Sequence, residues 1–398
     1  MTKEVKYIVA EIKRVAKKLG VHYSQLTKAQ LLDNSDIKEW EIRKRGGLSA
    51  IRSAYLPVTN KALAEIQSQR ETAAYIRKLE KQIAEKDLFE KRVLRDVTEA
   101  IKALPLKRVD IPTPKISKGK SDMTIEFMLS DIHYGKQIPG ANSVNLSVIR
   151  ARVRHAVSVL LREIEQHQTF FNVERLIIAV IGDVIESYTM HGLESAIGCE
   201  FGNSRQIDEA IESLWYDVLV PIAKTGLKVD FVGVPGNHDR VESKKTLHKP
   251  GENLVTWIIY KGLERLAKTA GMKNVKFHIP RESYYVLDIY GSPCLYEHTD
   301  EVVAPERNHF EKLIQKRSKQ IGKQIHFLRG GHWHESINFD RGRIIINESV
   351  PGQDGFSETK GYNSSSGQTI NYYIKTDKRP TPFYKSFPVY LDHIRGEK

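Results

Sequence analysis

Four short blocks of this chain place metal-binding residue types at the ends of apolar, strand-like runs. They are Leu129-Ser130-Asp131-Ile132-His133-Tyr134-Gly135, Val180-Ile181-Gly182-Asp183, Val234-Pro235-Gly236-Asn237-His238-Asp239 and Gly330-Gly331-His332-Trp333-His334. His298 follows a further run, Pro293 to Glu297. In an α/β sheet the loops at the carboxyl ends of the strands converge on one crevice, so residues far apart in sequence can meet there. Asp131 and His133 are spaced i, i+2, as are His332 and His334. In extended backbone such pairs project to the same side and supply two ligands each. Glycines beside them let backbone pass close to a site. Carboxylate, imidazole and amide oxygen suit hard or borderline cations, and these blocks offer no thiolate. Each block alone has a bland reading as a turn, surface decoration or a solvated histidine. Their order and their shared position at strand ends point to one metal site.

Taken in order, the blocks resemble the signature of the calcineurin-like metallophosphoesterase superfamily: D-x-H, G-D, G-N-H-[DE], H, then G-H-x-H, over about residues 123–350. The resemblance implies a two-sheet sandwich flanked by helices, with a dinuclear centre at one edge. It implies one ion on Asp131, His133, Asp183 and His334, and a second on Asp183, Asn237, His298 and His332, with Asp183 bridging. His238 would be the non-ligand histidine of the Asn-His pair. Two divalent ions ~3.5–4 Å apart make hydroxide from water at neutral pH and clamp the phosphoryl oxygens of an in-line displacement. Mn2+ is the expected ion, with Fe, Zn or Mg as alternatives. His238, as the catalytic imidazolium, would donate a proton to the leaving oxygen or stabilise charge on the phosphate. Asp239 would orient that imidazole or serve the turn.

Departures from relatives bear on the substrate. Phosphoprotein phosphatases continue the second block to an arginine, whereas here no arginine follows Asp183 until Arg205. Asp340-Arg341-Gly342 lies after the last metal block and is set aside as a decoy. Glu186 stands where nucleases partnered with an SMC-like ATPase often carry histidine, and His191, in the loop Tyr188 to Asn203, is a candidate substitute. Glu297-His298-Thr299-Asp300 replaces the commoner His-Gly and keeps the ligand.

The elements that must position these residues begin at Met123. Strands are predicted at 124–130, 175–181, 229–234 and 326–329, and amphipathic helices near 146–168, 205–225, 251–271 and 306–318. Shorter strand-like runs at 284–290, 293–298, 335–339, 343–347 and 370–375 add a more antiparallel part, giving an α/β catalytic domain over 123–398. Upstream, residues 3–19 carry a helical apolar row that stops at Gly20. Ser24 or Thr27 is a cap for a second helix, Asn34-Ser35-Asp36 for a third running to about Lys44, and Ser49 to Tyr55 reads as a fourth. Residues 1–58 therefore look like a small all-α, helix-turn-helix type domain. Residues 59–103 hold a long helical stretch (61–103), read as an arm or dimerisation segment, and 104–122 form a Pro/Lys-rich linker.

Charge supports that division. The 398 residues carry a formal charge of +13, and residues 1–120 hold 27 Lys/Arg against 15 Asp/Glu. The other 278 residues hold 35 against 34, so nearly all the excess lies in the first third. A basic segment beside a neutral one suggests a polyanion-binding module, with Arg43, Lys44, Arg45 and Arg52 as nucleic-acid contacts. Trp40 and Tyr55 are read as core residues rather than stacking platforms. The longest apolar run, Leu176 to Ile181, has six residues, too few to span a membrane. Two cysteines, Cys199 and Cys294, make no disulfide framework, and the reading is cytoplasmic.

The leading expectation is a DNA nuclease hydrolysing phosphodiester bonds, nearest in style to SbcD-type nucleases, with DNA as partner. A homodimer is expected from the helical stretch, and an SMC-like ATPase partner by family analogy. Two alternatives stay open: a phosphatase or small-molecule phosphodiesterase, and a non-catalytic DNA- or partner-binding scaffold.

Overall fold

The computed structural model describes residues 2–23, 25–56, 108–113, 119–140, 143–187, 197–240, 255–353, 365–376 and 381–396, with Arg77, Arg95 and Gly251 individually. Apart from Arg77 and Arg95, the helical stretch at 61–103 lies outside the described residues, as do part of the linker and His191. The chain divides into two units, residues 1–93 and 94–398.

The first unit begins with α1 (Lys3–Lys18), whose start is capped by the Thr2 hydroxyl accepting the Val5 N–H, and whose buried row is Val5, Ile8, Val9, Ile12, Val15 and Ala16. Next come α2 (Lys28–Asp33), α3 (Glu39–Arg43) and α4 (Gly47–Tyr55). Thr27 and Gln30 form a reciprocal capping box at α2. Leu26, Leu31, Ile37, Ile42, Leu48, Ile51 and Leu56 complete the core. The third helix starts later than its sequence suggests. Asn34 donates its amide to the Gln30 carbonyl and Ser35 its hydroxyl to the Leu31 carbonyl, so these polar residues close α2 rather than open α3. Trp40 and Tyr55 are not core residues: they are 60% and 44% exposed. With Ile42 buried, Trp40 two positions earlier falls on the opposite face of α3, and Leu56 rather than Tyr55 is buried at the end of α4.

In the second unit the order is β1 (Asp122–Leu129), α5 (Leu146–Gln168), β2 (Asn172–Ile181) and α6 (Asn203–Ser213). A π-helical segment, Leu214–Leu219, leads into α7 (Val220–Ala223). Then follow β3 (Lys228–Val234), α8 (Val255–Thr269), β4 (Val275–His278), β5 (Tyr284–Ile289), β6 (Ser292–Glu297), α9 (Arg307–Ile321), β7 (Phe327–Gly330), β8 (Ile337–Phe339), β9 (Ile344–Ile346), β10 (Gly367–Ile374) and β11 (Phe383–Tyr390). A six-stranded sheet runs β11-β10-β1-β2-β3-β4 and a five-stranded sheet runs β5-β6-β7-β9-β8. Strands β1 to β4 are parallel, with β10 and β11 added antiparallel.

Strand alternation builds the layers. Leu176, Ile178 and Val180 of β2 pack with the helices α5 to α8, while Ile177, Ala179 and Ile181 pack against Leu287, Cys294, Tyr296, Phe327 and Ile345 of the second sheet. The outer face of that sheet is covered by Phe310, Leu313 and Ile314 of α9. The result is an α/β sandwich of two sheets flanked by helices. Among the described residues no helix is long and apolar enough to cross a membrane.

Candidate metal centre

The five metal-type segments converge where β1, β2, β3, β6 and β7 end. Main-chain bonds knit the first two loops together: Asp131 N–H to the Gly182 carbonyl at 3.2 Å, His133 N–H to Asp183 at 3.0 Å and Tyr134 N–H to Val184 at 2.9 Å. The His332 N–H reaches both carboxylate oxygens of Asp131, at 3.0 and 3.1 Å. The paired residues do not face the site through strand alternation, as their i, i+2 spacing suggests. Asp131, His133, Asp183, His332 and His334 have φ of 51°, 53°, 49°, 81° and 55°. Their side chains gather because the backbone curls left-handed past each strand end. Such conformations are costly for non-glycine residues and concentrate at functional sites.

Two ligand groups result, Asp131 with His133 and His334, and Asp183 with His298 and His332; in each, one candidate ligand atom per residue lies within 4.8 Å of the others. In the first, His334 Nε2 is 3.2 Å from Asp131 Oδ1 and 3.2 Å from His133 Nε2. In the second, His298 Nε2 is 3.0 Å from Asp183 Oδ2 and 3.1 Å from Asn237 Oδ1. The other ring nitrogens are occupied by outer partners. His298 Nδ1 lies 2.8 Å from the Ile181 carbonyl, and His133 Nδ1 lies 2.8 Å from Glu186 Oε2. Each contact meets Nδ1 from outside the site and turns Nε2 inward, the usual arrangement of metal-ligating histidine. The donor set fits divalent cations.

Electrostatics agree. Burial disfavours charge on His298, yet Asp183 and Asp131 more than offset it and push its pKa up to about 10. Burial likewise opposes ionisation of Asp131 and Asp183, but His298 first, with its neighbouring histidines, holds both below the usual carboxylate value. Burial, with His298 beside it, pushes His332 down to about 4. The site keeps two buried carboxylates ionised, as a cation requires.

His238 sits beside them. Its N–H donates to Asp183 Oδ1 at 2.8 Å, its Nδ1 lies 2.6 Å from the Glu186 carbonyl, and it forms a third potential ligand group with His133 and Asp183. Asp239 serves the turn: it accepts N–H bonds from Gly236 (2.6 Å), Asp183 (3.0 Å) and Val184 (3.1 Å). The Glu186 carbonyl, not Asp239, accepts from the His238 ring. Burial and the adjacent Asp183 carboxylate push Asp239 up to about 7. A β-carbon on Gly236 would strike Asp183, and one on Gly331 would strike Asp131.

Sequence reasoning missed what Glu186 and Lys136 do. Glu186 is buried against His133, with Lys136 Nζ 3.3 Å from Oε1. Burial opposes its ionisation, but Lys136 and His133 hold its pKa down at about 2. The signal available was the acidic residue three positions after Asp183, whose partner the sequence does not name.

The remaining candidates lie elsewhere. Asp340-Arg341-Gly342 forms the turn between β8 and β9, with Asp340 paired to Arg307 at 2.8 Å. Cys199 and Cys294 are free thiols. In the first unit Arg43 and Lys44 are exposed. Arg45 binds Glu4 at 2.6 Å and the Glu41 carbonyl at 2.8 Å, while Arg52 donates to the Leu26 carbonyl and burial lowers its pKa.

No family model matches the sequence, and no curated protein matches it. Solved structures similar to this chain include an archaeal phosphodiesterase, at 10% identity over 67% of this chain and 99% of that one, TM-score 0.32. Vps29 from Entamoeba histolytica, solved with zinc, matches at 12% identity over 67% of this chain and 99% of its own, TM-score 0.27. A predicted phosphoesterase from Streptococcus pneumoniae matches at 11% identity over 67% and 98%, TM-score 0.26. At these values the likeness bears on neither substrate nor activity.

Proposed function

We propose that the chain is a divalent-metal-dependent phosphodiesterase acting on DNA. The observation that carries this reading is the meeting of two Asp/His groups in which the Ile181 carbonyl lies against His298 Nδ1 and the Glu186 carboxylate against His133 Nδ1, turning the Nε2 atoms inward. Asp131, His133, Asp183 and His334 would hold one ion, and Asp183, Asn237, His298 and His332 a second, Mn2+ by preference. Such ions, when bound, supply charge neutralisation at phosphoryl oxygens and activate water.

The chain's own residues do the rest. Asp131 and Asp183, buried beside His298, remain ionised. The His238 ring, fixed through Nδ1 by the Glu186 carbonyl, presents Nε2 as the atom that holds or delivers a proton to the leaving oxygen. DNA supplies both a phosphodiester and a polyanion. The charge excess of residues 1–120 supports the second part, and exposed Arg43 and Lys44 beside exposed Trp40 give it a surface in the first unit.

The test is hydrolysis of a labelled DNA duplex with Mn2+ at low and moderate salt, with His238→Ala as control. Cleavage that requires the metal and is lost in the variant is expected. Turnover of a small aryl phosphate ester without DNA cleavage would move the reading to a small substrate.

A further inference from the structure

The loop after β2 contains one residue that holds two different imidazoles by two different ends. Ile185 forms an isolated parallel bridge with Tyr134, and the Glu186 N–H donates to the Tyr134 carbonyl at 3.1 Å. This pairing lays residue 186 alongside residues 133–136. Glu186 Oε2 then lies 2.8 Å from His133 Nδ1, and Lys136 Nζ lies 3.3 Å from Oε1 and 3.4 Å from Oε2. The Glu186 carbonyl oxygen lies 2.6 Å from His238 Nδ1. The His133 and His238 rings stand edge to face, with centroids 4.7 Å apart and planes at 88°.

We infer that Glu186 is a positioning residue for both rings: its carboxylate aims His133 as a metal ligand while its carbonyl aims His238 toward substrate. This rests on the metal-site reading above, but not on DNA being the substrate. A carboxylate on Nδ1–H fixes the tautomer, strengthens the opposite nitrogen as a ligand and locks the ring plane. The Glu186 carbonyl fixes the same tautomer on His238, with the carboxylate of the same residue farther off, 4.0 Å from that nitrogen. Lys136 Nζ contacts both oxygens of that carboxylate and restrains the side chain. Because both rings depend on one residue, displacement of this loop moves ligand and proton carrier together.

The competing role is purely structural, with Glu186 present only to neutralise buried Lys136. The two roles diverge when Lys136 is removed. Mn2+ binding to the metal-free full-length protein, followed by calorimetry, separates them, with circular dichroism confirming the fold of each variant. Glu186→Ala is expected to weaken Mn2+ binding by about 10–100-fold. Glu186→Gln, which keeps shape and an acceptor, should fall between wild type and Glu186→Ala, and it carries the test if the alanine variant does not fold. Adding Lys136→Met to Glu186→Gln should leave the affinity weak. The His238 Nδ1 proton, observed by 15N-edited NMR, should stay hydrogen-bonded in Glu186→Gln because its acceptor is main chain.

Wild-type Mn2+ affinity in Glu186→Ala, or recovery of that affinity in the double variant, overturns the proposal. Loss of the protected His238 proton overturns its main-chain half. Wild-type protein that takes up no divalent ion overturns instead the metal reading beneath it.

Discussion

At Gly236 the constraint is space. Its missing β-carbon leaves room for the Asp183 carboxylate and amide, just as Gly331 leaves room for Asp131. Gly236→Ala should displace Asp183 and lower kcat by about 100-fold, since a misplacement near 1 Å costs that much; an unchanged far-UV spectrum with wild-type turnover would refute this. A second residue-scale prediction concerns acid. Asp230 accepts from Arg175 Nε at 2.6 Å and lies 2.5 Å from His278 Nε2. Burial raises its pKa, but His278 and Arg175 outweigh that and hold it below the usual value. A carboxyl depressed in the folded state stabilises fully above its unfolded pKa, about 3.9, and loses that contribution as pH falls through its lower folded value. Asp230→Asn should therefore destabilise at neutral pH, by an amount that begins to shrink below about pH 3.9 and vanishes only below the lower folded value, so that denaturation at pH 3 shows a smaller deficit than at pH 7. An equal deficit at both values would reject it. The ligand residues were legible in sequence because their types recur in ordered blocks. For Asp239 the turn was legible but not its bonds to Asp183 and Val184, and the partners of Glu186 were not legible, because these contacts come from distant loops brought near by strand pairing.

Among the elements, β1 and β7 carry a charged network between the sheets. Arg329 and Glu126 are fully buried and paired at 2.9 Å. Tyr373, Asn371 and Tyr296 also donate to that carboxylate, at 2.7, 2.8 and 2.5 Å. Removing one partner leaves the other charge without compensation. Arg329→Met should cost about 3–5 kcal/mol in urea unfolding, and adding Glu126→Leu should recover much of the loss. A single-variant loss below about 1 kcal/mol, the range of surface ion pairs, would show the pair is solvated. The long elements were readable: β2 alternates cleanly between helix-facing and sheet-facing residues, and α5 carries a full apolar row. The edge strands of the six-stranded sheet were not. β4 is four residues long, and β11 exposes most of its side chains and contains Pro388, which an edge strand tolerates. The π-helical turn at Leu214–Leu219 leaves no mark in apolar spacing that distinguishes it from the helix around it.

For the whole molecule the informative quantity is the separation of charge, +12 in residues 1–120 against +1 in the rest. Composition made that legible, but not which cations face outward. Arg45 and Arg52 are engaged with Glu4, Glu41 and Leu26, while Arg43 and Lys44 are exposed three and four positions after Trp40 on α3. A cation paired with phosphate and an aromatic ring stacking on a base leave different signatures. Each cation–phosphate pairing that a substitution removes from a duplex complex should reduce the slope of log K against log salt by about 0.9. Removing a ring that stacks on a base should weaken single-strand binding by about 1–3 kcal/mol without changing that slope. With EDTA present, so that cleavage does not intervene, fluorescence anisotropy on labelled oligonucleotides should show Arg43→Ala/Lys44→Ala lowering the slope on duplex and single strand alike. Trp40→Ala should weaken single-strand binding alone. Wild-type slopes in the double variant would remove α3 from the DNA interface and leave the charge of residues 1–120 to act through other cations. Equal weakening of duplex and single strand by Trp40→Ala would assign that ring to the fold of the first unit rather than to a base.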